Sequence, residues 1–222
     1  MANTIQIAIF AKAPIAGFAK TRLIPRLGAC GAARLQHQLI SRTLHTAQAA
    51  RLGPITLWCA PTSRHPLFQL LATQEDVALQ IQPQGDLGRR MEHVFALGTA
   101  ILPTLLVGTD CPALTPHHLV RCAQALEDGA DAVFIPVVDG GYSLIGLARP
   151  APCLFRNIAW GSAEVMAATR ARACAAGLRW HELPPLFDLD VTEDYERALA
   201  LGLVAQDDGT AQIHLQCGGT VS

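Results

Sequence analysis

Short strand-like runs alternate with helix-like segments along most of the chain, and this alternation constrains its fold more than any other feature. A strand, a helix and a second strand in succession form a parallel pair, because the helix carries the chain back along the sheet. The predicted strands are 4–10, 55–60, 77–82, 105–108, 132–137, 142–147 and 178–183. The predicted helices are 30–51, 66–73, 86–99, 116–128, 162–176 and 192–201. Four or five β-α units followed by a mixed region predict an α/β protein.

One connection departs from the parallel pattern. The strands 132–137 and 142–147 are joined only by Val138–Gly141, which is too short for a crossover and predicts an antiparallel pair. The expected architecture is a three-layer α/β/α sandwich with a mostly parallel, mixed central sheet. We expect residues 1–222 to form a single domain, because no linker or repeat interrupts them. The tail Thr210–Gln216 alternates apolar and polar residues and predicts an exposed edge strand.

Composition excludes several classes of protein. Hydrophobic residues make up 50% of the chain and charged residues 16%, so the chain is not intrinsically disordered. A net charge of −1 gives no general attraction to nucleic acid or anionic lipid. No apolar run approaches the ~20 residues that span a bilayer, and no basic region precedes the first apolar run, so a cytoplasmic protein is expected. The seven cysteines form no C-x-x-C pair, and the three tryptophans, Trp58, Trp160 and Trp180, are expected only to pack in or around the core.

The loop after the first strand is strongly basic. Lys12, Lys20 and Arg22 lie within eleven residues, in a chain with only 17 lysines and arginines. Ligands of such sheets bind outside the carboxyl ends of the strands, and lysine and arginine suit phosphate oxygens. Pro14 and Gly17 shape the loop, but the spacing matches neither a P-loop nor a dinucleotide fingerprint. The loop therefore predicts a polyphosphate site, with a solvated basic loop as the alternative.

Carboxylates follow two other strands. Asp110 ends the apolar run 105–108, and Asp188 and Asp190 follow the strand near Leu183. Two carboxylates from separate strand ends can hold Mg²⁺ or Mn²⁺, which bridges protein oxygens to substrate phosphates. The alternative for Asp190 or Thr192 is to cap the last helix.

Two further loops carry candidate binding residues. Gly85 and Asp86 open a helix whose free N–H groups can receive a nucleobase or phosphate, although Asp86 alternatively serves only as a helix cap. The stretch Asp139–Tyr142 contains two glycines that let the backbone approach a ligand closely. The alternative for this stretch is a plain hairpin turn.

Five segments, taken together and in order, resemble the DUF2064 family of bacterial proteins, which is often described as GT-A-type nucleotide-diphospho-sugar transferases. They are FAKAPIAGFAKTRL (Phe10–Leu23), QGDLGRRM (Gln84–Met91), VGTDCPALTP (Val107–Pro116), DGGYSLIGL (Asp139–Leu147) and DLDVTEDY (Asp188–Tyr195). The resemblance extends from Phe10 to about Leu201 and implies a Rossmann-like GT-A fold with a nucleotide over the first half of the sheet.

The residues expected to bind the nucleotide are Lys12, Gly17, Lys20, Thr21, Arg22, Gly85 and Asp86. By the resemblance, Asp110 and Asp190 match the metal-binding positions. The residues that would face the second substrate are Asp139, Gly140, Gly141 and Tyr142.

Three functions are compatible with these residues. The favoured one is a metal-dependent glycosyltransferase that uses a nucleotide-diphospho-sugar and a small-molecule acceptor. Lys20 and Arg22 would stabilise the leaving diphosphate, and Asp110 would hold Mg²⁺ or Mn²⁺. Asp139 would act as the base that takes the acceptor proton. The second is a nucleotidyltransferase that couples an NTP to a phosphorylated small molecule and releases pyrophosphate, since AKTRL also resembles the start of phospholactate guanylyltransferases. The third is a non-catalytic nucleotide sensor.

Overall fold

A computed structural model describes residues 5–206 of the protein, and within this range seven strands form one sheet. The strands are β1 (Gln6–Lys12), β2 (Ile55–Ala60), β3 (Ala78–Ile81), β4 (Thr104–Gly108), β5 (Ala132–Pro136), β6 (Tyr142–Leu147) and β7 (Trp180–Glu182). The α-helices are α1 (Ile24–Ala50), α2 (Pro66–Gln74), α3 (Leu87–Gly98), α4 (Pro116–Glu127), α5 (Val165–Ala175) and α6 (Thr192–Ala200). The strand order is β3-β2-β1-β4-β6-β5-β7.

Only β6 runs antiparallel to its neighbours in this sheet. It lies between β4 and β5, and all the other strand pairs of the described sheet are parallel. The short connection Val138–Gly141 therefore makes the predicted antiparallel pair, which places the start of β6 beside the carboxyl ends of β4 and β5. The predicted α/β class and mixed sheet are confirmed.

Helices cover both faces of the sheet. On one face α1, α2 and α4 bury Leu44, Phe68 and Leu119 against the strands. On the other face α3 and α5 bury Phe95 and Met166. Each large apolar side chain removed from water contributes roughly 1.5–3 kcal/mol, so the two apolar layers account for the sandwich. The predicted three-layer arrangement follows from these helical faces.

A third apolar cluster packs helix α6 against the start of α1. It joins Leu23 and Leu39 to Leu189, Tyr195 and neighbouring apolar residues of the last segment. This packing matters for the site because it holds the segment 187–195 beside the loop that follows β1.

Element boundaries differ from the sequence predictions at several places. Helix α1 begins at Ile24 rather than at residue 30, because Pro25 starts the helix and Gly28, at φ 70°, interrupts it before the apolar period becomes regular. Strand β1 extends to Lys12, which pairs with Ala60 of β2. Strand β7 covers only Trp180–Glu182. The predicted tail strand Thr210–Gln216 lies outside the described residues.

Candidate active site

A cleft of about 1350 Å³ opens at the carboxyl ends of the parallel strands. Its lining includes Lys12 at the end of β1, Gln82 after β3, Asp110 after β4 and Tyr142 at the start of β6. The cleft therefore runs along the sheet edge at which ligands of open α/β sheets bind.

Lys20 lies at the centre of the charged part of this cleft. Its backbone is left-handed, at φ 47°, just before a short 3-10 turn at Thr21–Leu23. Its side chain is only 5% exposed, and Nζ lies 2.6 Å from Asp110 Oδ1 and donates to Leu189 O at 2.5 Å. A lysine that is this buried is stabilised only when its charge is paired and its N–H groups are used. The conformation of the loop thus brings Lys20, which was predicted to bind phosphate, into contact with the carboxylate of Asp110.

The segment after β7 reaches the same point from the opposite end of the chain. Leu189 N donates to Asp110 O at 2.7 Å, which fixes residues 188–190 beside the end of β4. Arg22 Nη1 lies 2.5 Å from Asp190 Oδ2 and Arg26 Nε 2.8 Å from Glu196 Oε1. Because both of these pairs are substantially exposed, each contributes about 0–1 kcal/mol, and the apolar cluster beneath them does most of the fastening.

Asp188 has the most perturbed carboxyl group of the cleft. Partial burial, followed by repulsion from the carboxylates of Asp139, Asp194 and Asp110, raises the pKa of Asp188 to about 6. Three carboxylates, those of Asp110, Asp139 and Asp188, therefore line one cleft and are near enough to interact.

Replacing Asp188 by asparagine is expected to stabilise the ligand-free protein above pH 6 by roughly 1–3 kcal/mol. The folded pKa of about 6 lies above the unfolded value, so the native state holds the extra proton between about pH 4 and pH 6. The stability that this proton contributes is lost as the pH rises through 6. Urea denaturation of both proteins from pH 4 to pH 7 measures the difference, with pH 4 as the internal reference because Asp188 is protonated there. Parallel stability curves would contradict the assigned environment of Asp188.

The turn between β5 and β6 presents three of its four predicted residues to the cleft. Asp139, Gly141 and Tyr142 line it, and Asp139 Oδ1 accepts the N–H of Gly141 at 3.1 Å. Gly140 turns the other way: at φ 94°, a Cβ there would lie 2.0 Å from Ala163 O. Gly140 therefore contributes a close backbone approach to the segment before α5 and lies outside the lining.

Three more predicted nucleotide-binding residues do not line the cleft. Gly17 and Gly85 adopt positive φ in their loops, and Asp86 caps α3 by accepting the N–H of Arg89 at 2.8 Å. The predicted residues that the cleft does bring together are Lys12, Lys20, Thr21, Arg22, Asp110, Asp139, Gly141, Tyr142 and Asp190.

Part of the chain that forms this cleft matches a known protein family. A family model described as "Uncharacterized protein conserved in bacteria (DUF2064)" matches residues 43–162, more than half of the chain. The chain belongs to the DUF2064 family. The matched range contains the cleft segments around Gln84, Asp110 and Tyr142, whereas the basic loop and Asp188–Tyr195 lie outside it.

Solved structures that resemble this DUF2064 protein include one provisionally assigned as a nucleotide-sugar transferase, a CTP-bound synthetase and a manganese complex. A protein from Desulfovibrio desulfuricans G20, provisionally assigned as a nucleotide-diphospho-sugar transferase, shares 28% identity at a TM-score of 0.80, over 90% of this chain and 87% of that one. CMP:2-keto-3-deoxy-manno-octonic acid synthetase in complex with CTP shares 12% identity at a TM-score of 0.55, over 90% and 98% of the chains. Rv0371c from Mycobacterium tuberculosis H37Rv in complex with manganese shares 16% identity at 0.55, over 90% and 100%.

No curated protein matches the DUF2064 chain. Within residues 5–206, the helices are all too short or too polar to cross a membrane.

The carboxylates of the DUF2064 cleft are oxygen donors of the type that binds a divalent metal. Among residues 5–206, no group of three or more His, Cys, Asp or Glu side chains is arranged to hold a metal ion alone. Mg²⁺ requires fewer protein ligands, since it keeps waters and takes substrate phosphate oxygens. Asp110 and Asp188 are hard oxygen donors of the kind that Mg²⁺ takes, and their charges repel each other; of the neighbouring carboxylates, Asp110 pairs with Lys20 and Asp190 with Arg22.

Sequence analysis missed several lining residues of the DUF2064 cleft. Gln82 and Arg90 contact each other at 3.4 Å, and Trp160 lines the cleft beside Gly88 of α3. Trp160 packs partly buried against the core, as expected, but it also lines the cleft, and it lies in an irregular segment whose path no sequence period indicates. Asp188 and Asp190 were both recognisable from the sequence and both line the cleft, but the burial of Asp188 and the pairing of Asp190 with Arg22 follow only from the fold.

Proposed function

We propose that this protein is a metal-dependent glycosyltransferase that takes a nucleotide-diphospho-sugar as donor. The observation that carries the proposal is the Lys20–Asp110 contact inside the cleft, which places a phosphate-binding cation 2.6 Å from a metal-binding type of carboxylate. A nucleoside diphosphate bound with a divalent cation has the complementary pattern of charge, since its phosphates match the lysine and its metal matches the aspartate. The similarity of this chain to the Desulfovibrio protein, which is provisionally assigned as a nucleotide-diphospho-sugar transferase, supports the same proposal.

The basic loop would bind the diphosphate. Lys12, Lys20 and Arg22 line the cleft, and Lys20 and Arg22 hold carboxylates as partners in the ligand-free state. A bound diphosphate would replace these carboxylate partners by phosphate oxygens, which suit both side chains. As the bond to the sugar breaks, negative charge grows on the leaving phosphate, and a cation already fixed beside it stabilises the transition state.

Asp110 and Asp188 would hold the divalent metal, Mg²⁺ or Mn²⁺. The metal when bound would supply neutralisation of the diphosphate leaving group. Its positive charge would also relieve the repulsion among the carboxylates that raises the pKa of Asp188. Asp188 takes the place that the sequence pattern suggested for Asp190, whose side chain pairs with Arg22 instead.

The transfer step exchanges one carbon–oxygen bond for another. The acceptor hydroxyl oxygen forms a bond to the anomeric carbon of the donor, and the bond from that carbon to the diphosphate oxygen breaks. The nucleoside diphosphate leaves with the electron pair, and the hydroxyl proton passes to a carboxylate. Asp139 is the proposed acceptor of that proton, because it lies on the turn that faces the second half of the cleft.

A nucleotidyltransferase is the second candidate, favoured by the fold of the CTP-bound synthetase and by the number of cations in the first loop. In that reaction a phosphorylated substrate attacks the α-phosphate of an NTP and pyrophosphate leaves. The same cations would serve, since phosphoryl transfer depends on positioning and charge neutralisation.

The two candidates release different products, so a product assay separates them. The full chain is incubated with Mn²⁺ and either a panel of nucleotide-diphospho-sugars or the four NTPs, each with a mixture of neutral and phosphorylated sugars. Release of nucleoside diphosphate from one sugar nucleotide is the expected result. Pyrophosphate release from an NTP would replace the glycosyltransferase by a nucleotidyltransferase, and nucleotide binding with neither product would indicate a sensor.

A further inference from the structure

The half of the cleft beyond Asp110 is built from apolar rings and carboxylates. Tyr142 and Trp160 line it, with ring centroids 6.5 Å apart and ring planes at 89°. Met91 and Leu106 extend the same wall, and the Tyr142 hydroxyl contacts only a weak acceptor there, Met91 Sδ, at 3.8 Å.

Trp160 is positioned by a glycine on the neighbouring helix. A Cβ at Gly88 of α3 would lie 2.5 Å from Trp160 Nε1 and 2.5 Å from Phe155 O, so only glycine lets the indole rest against this helix. The turn between β5 and β6 packs against the same segment, because Met166 N donates to Gly140 O at 2.8 Å. Two close backbone approaches thus hold the indole at the wall of the cleft.

The side chains of the two segments that form most of this half bring only negative charge. These segments, residues 137–143 and 158–166, contain Asp139 and Glu164 and no lysine, arginine or histidine. Asp110 and Asp188 also line the cleft. Three cations of the cleft already have partners: Lys20 and Arg22 pair with carboxylates, and Arg90 donates to Gly85 O and Gln82. The fourth, Lys12, ends β1.

We infer that the second substrate is an uncharged hydroxyl compound with an apolar ring face, such as a sugar without phosphate or carboxylate, and that Trp160 determines this specificity by stacking. This inference rests on the proposed glycosyl transfer and deepens it. The C–H groups of a sugar ring pack on an indole face, and the carboxylates accept its hydroxyl hydrogens. A phosphorylated acceptor would bring negative charge beside the carboxylates, and neither of the two segments carries a cation to pair it.

A matched series of glycosides tests the inference. The probes are methyl β-glucopyranoside, its 6-phosphate, the corresponding glucuronide and the 2-amino-2-deoxy analogue, each titrated by saturation-transfer NMR onto protein loaded with a nucleoside diphosphate and Mn²⁺. We expect the uncharged glycoside to bind roughly tenfold more tightly than either anion, with transfer strongest at its ring C–H protons. Equal or tighter binding of the phosphate or glucuronide, preference for the amine, or no binding of any probe would overturn the inference.

Two variants assign the effect to the indole. Trp160→Leu removes the ring face, and Gly88→Ala displaces the indole while leaving it in the chain. Each variant is expected to bind the uncharged glycoside roughly fivefold or more weakly than the wild type does. The matched control is Trp180→Leu, because Trp180 lies on β7, outside the cleft, with Nε1 bonded to Glu182 at 3.0 Å. An unchanged affinity in Trp160→Leu, or an equal loss in the control, would overturn the role of Trp160.

Nucleotide binding is measured separately on every variant, by the rise in melting temperature with nucleoside diphosphate and Mn²⁺. Retention of this rise shows that the variants fold and that the donor site is intact. Loss of nucleotide binding in the wild type would contradict the proposed function, whereas an altered preference among the four glycosides would contradict only the acceptor inference.

Discussion

Lys20→Met is expected to lower turnover with a nucleotide-diphospho-sugar by about 10²–10³-fold, a loss comparable to that of one fixed electrostatic donor. The substitution keeps the apolar stem of a side chain that is 5% exposed, and removes the charge that lies 2.6 Å from Asp110. Because the Asp110 side chain is 57% exposed, its carboxylate stays solvated, and the melting temperature should change little. Steady-state kinetics with a thermal melt of the same sample make the measurement.

Arg26→Met is the matched control for that experiment. Arg26 lies on the same stretch of chain and pairs with Glu196 at 2.8 Å, but it does not line the cleft. Its turnover should stay within about twofold of wild type, since an exposed pair of this kind contributes little. A Lys20→Met enzyme as active as the control would remove Lys20 from the phosphate site.

Asp110→Asn is expected to abolish the dependence of nucleotide binding on metal. The change removes one of the two carboxylates proposed to hold the cation and also releases Lys20 from its partner. Binding of a nucleoside diphosphate without metal should therefore persist or become tighter, while added Mn²⁺ no longer strengthens it. Isothermal titration of the nucleotide, with and without Mn²⁺, gives both affinities.

The control for Asp110→Asn is Asp131→Asn, which also removes an exposed carboxylate. Asp131 pairs with Arg179 at 3.6 Å and lies outside the lining of the cleft. The Asp131→Asn variant should keep the full increase in nucleotide affinity on adding Mn²⁺. A similar increase in Asp110→Asn would show that the metal is held without Asp110.

The sheet was largely predictable because it depends on local patterns. Apolar runs of strand length between helical periods gave the strands, and the short connection Val138–Gly141 gave the antiparallel pair. The start of α4 was also readable, since Thr115 caps it and Pro116 follows at the first position.

The site was predictable only in part because it depends on contacts between distant segments. Strand ends indicated Lys20 and Asp110 as candidates, but their contact depends on the left-handed backbone at Lys20. The pairing of Asp190 with Arg22, from the opposite end of the chain, likewise depends on the fold. The exposure of Trp160 to the cleft depends on the missing side chain at Gly88, a tertiary effect that leaves no periodic signal.

We propose above all that the cleft binds a nucleotide together with a divalent metal. The most direct test of this proposal is the melting temperature of the full chain with nucleotide-diphospho-sugars, with and without Mn²⁺. A ligand at ~100 times its Kd adds about 2.7 kcal/mol, which for a chain of this length corresponds to roughly 5–10 °C. The account predicts such a shift for at least one sugar nucleotide, larger with Mn²⁺ than without and absent when Lys20 and Asp110 are both replaced. No shift with any sugar nucleotide, or a shift that persists in the double variant, would contradict it.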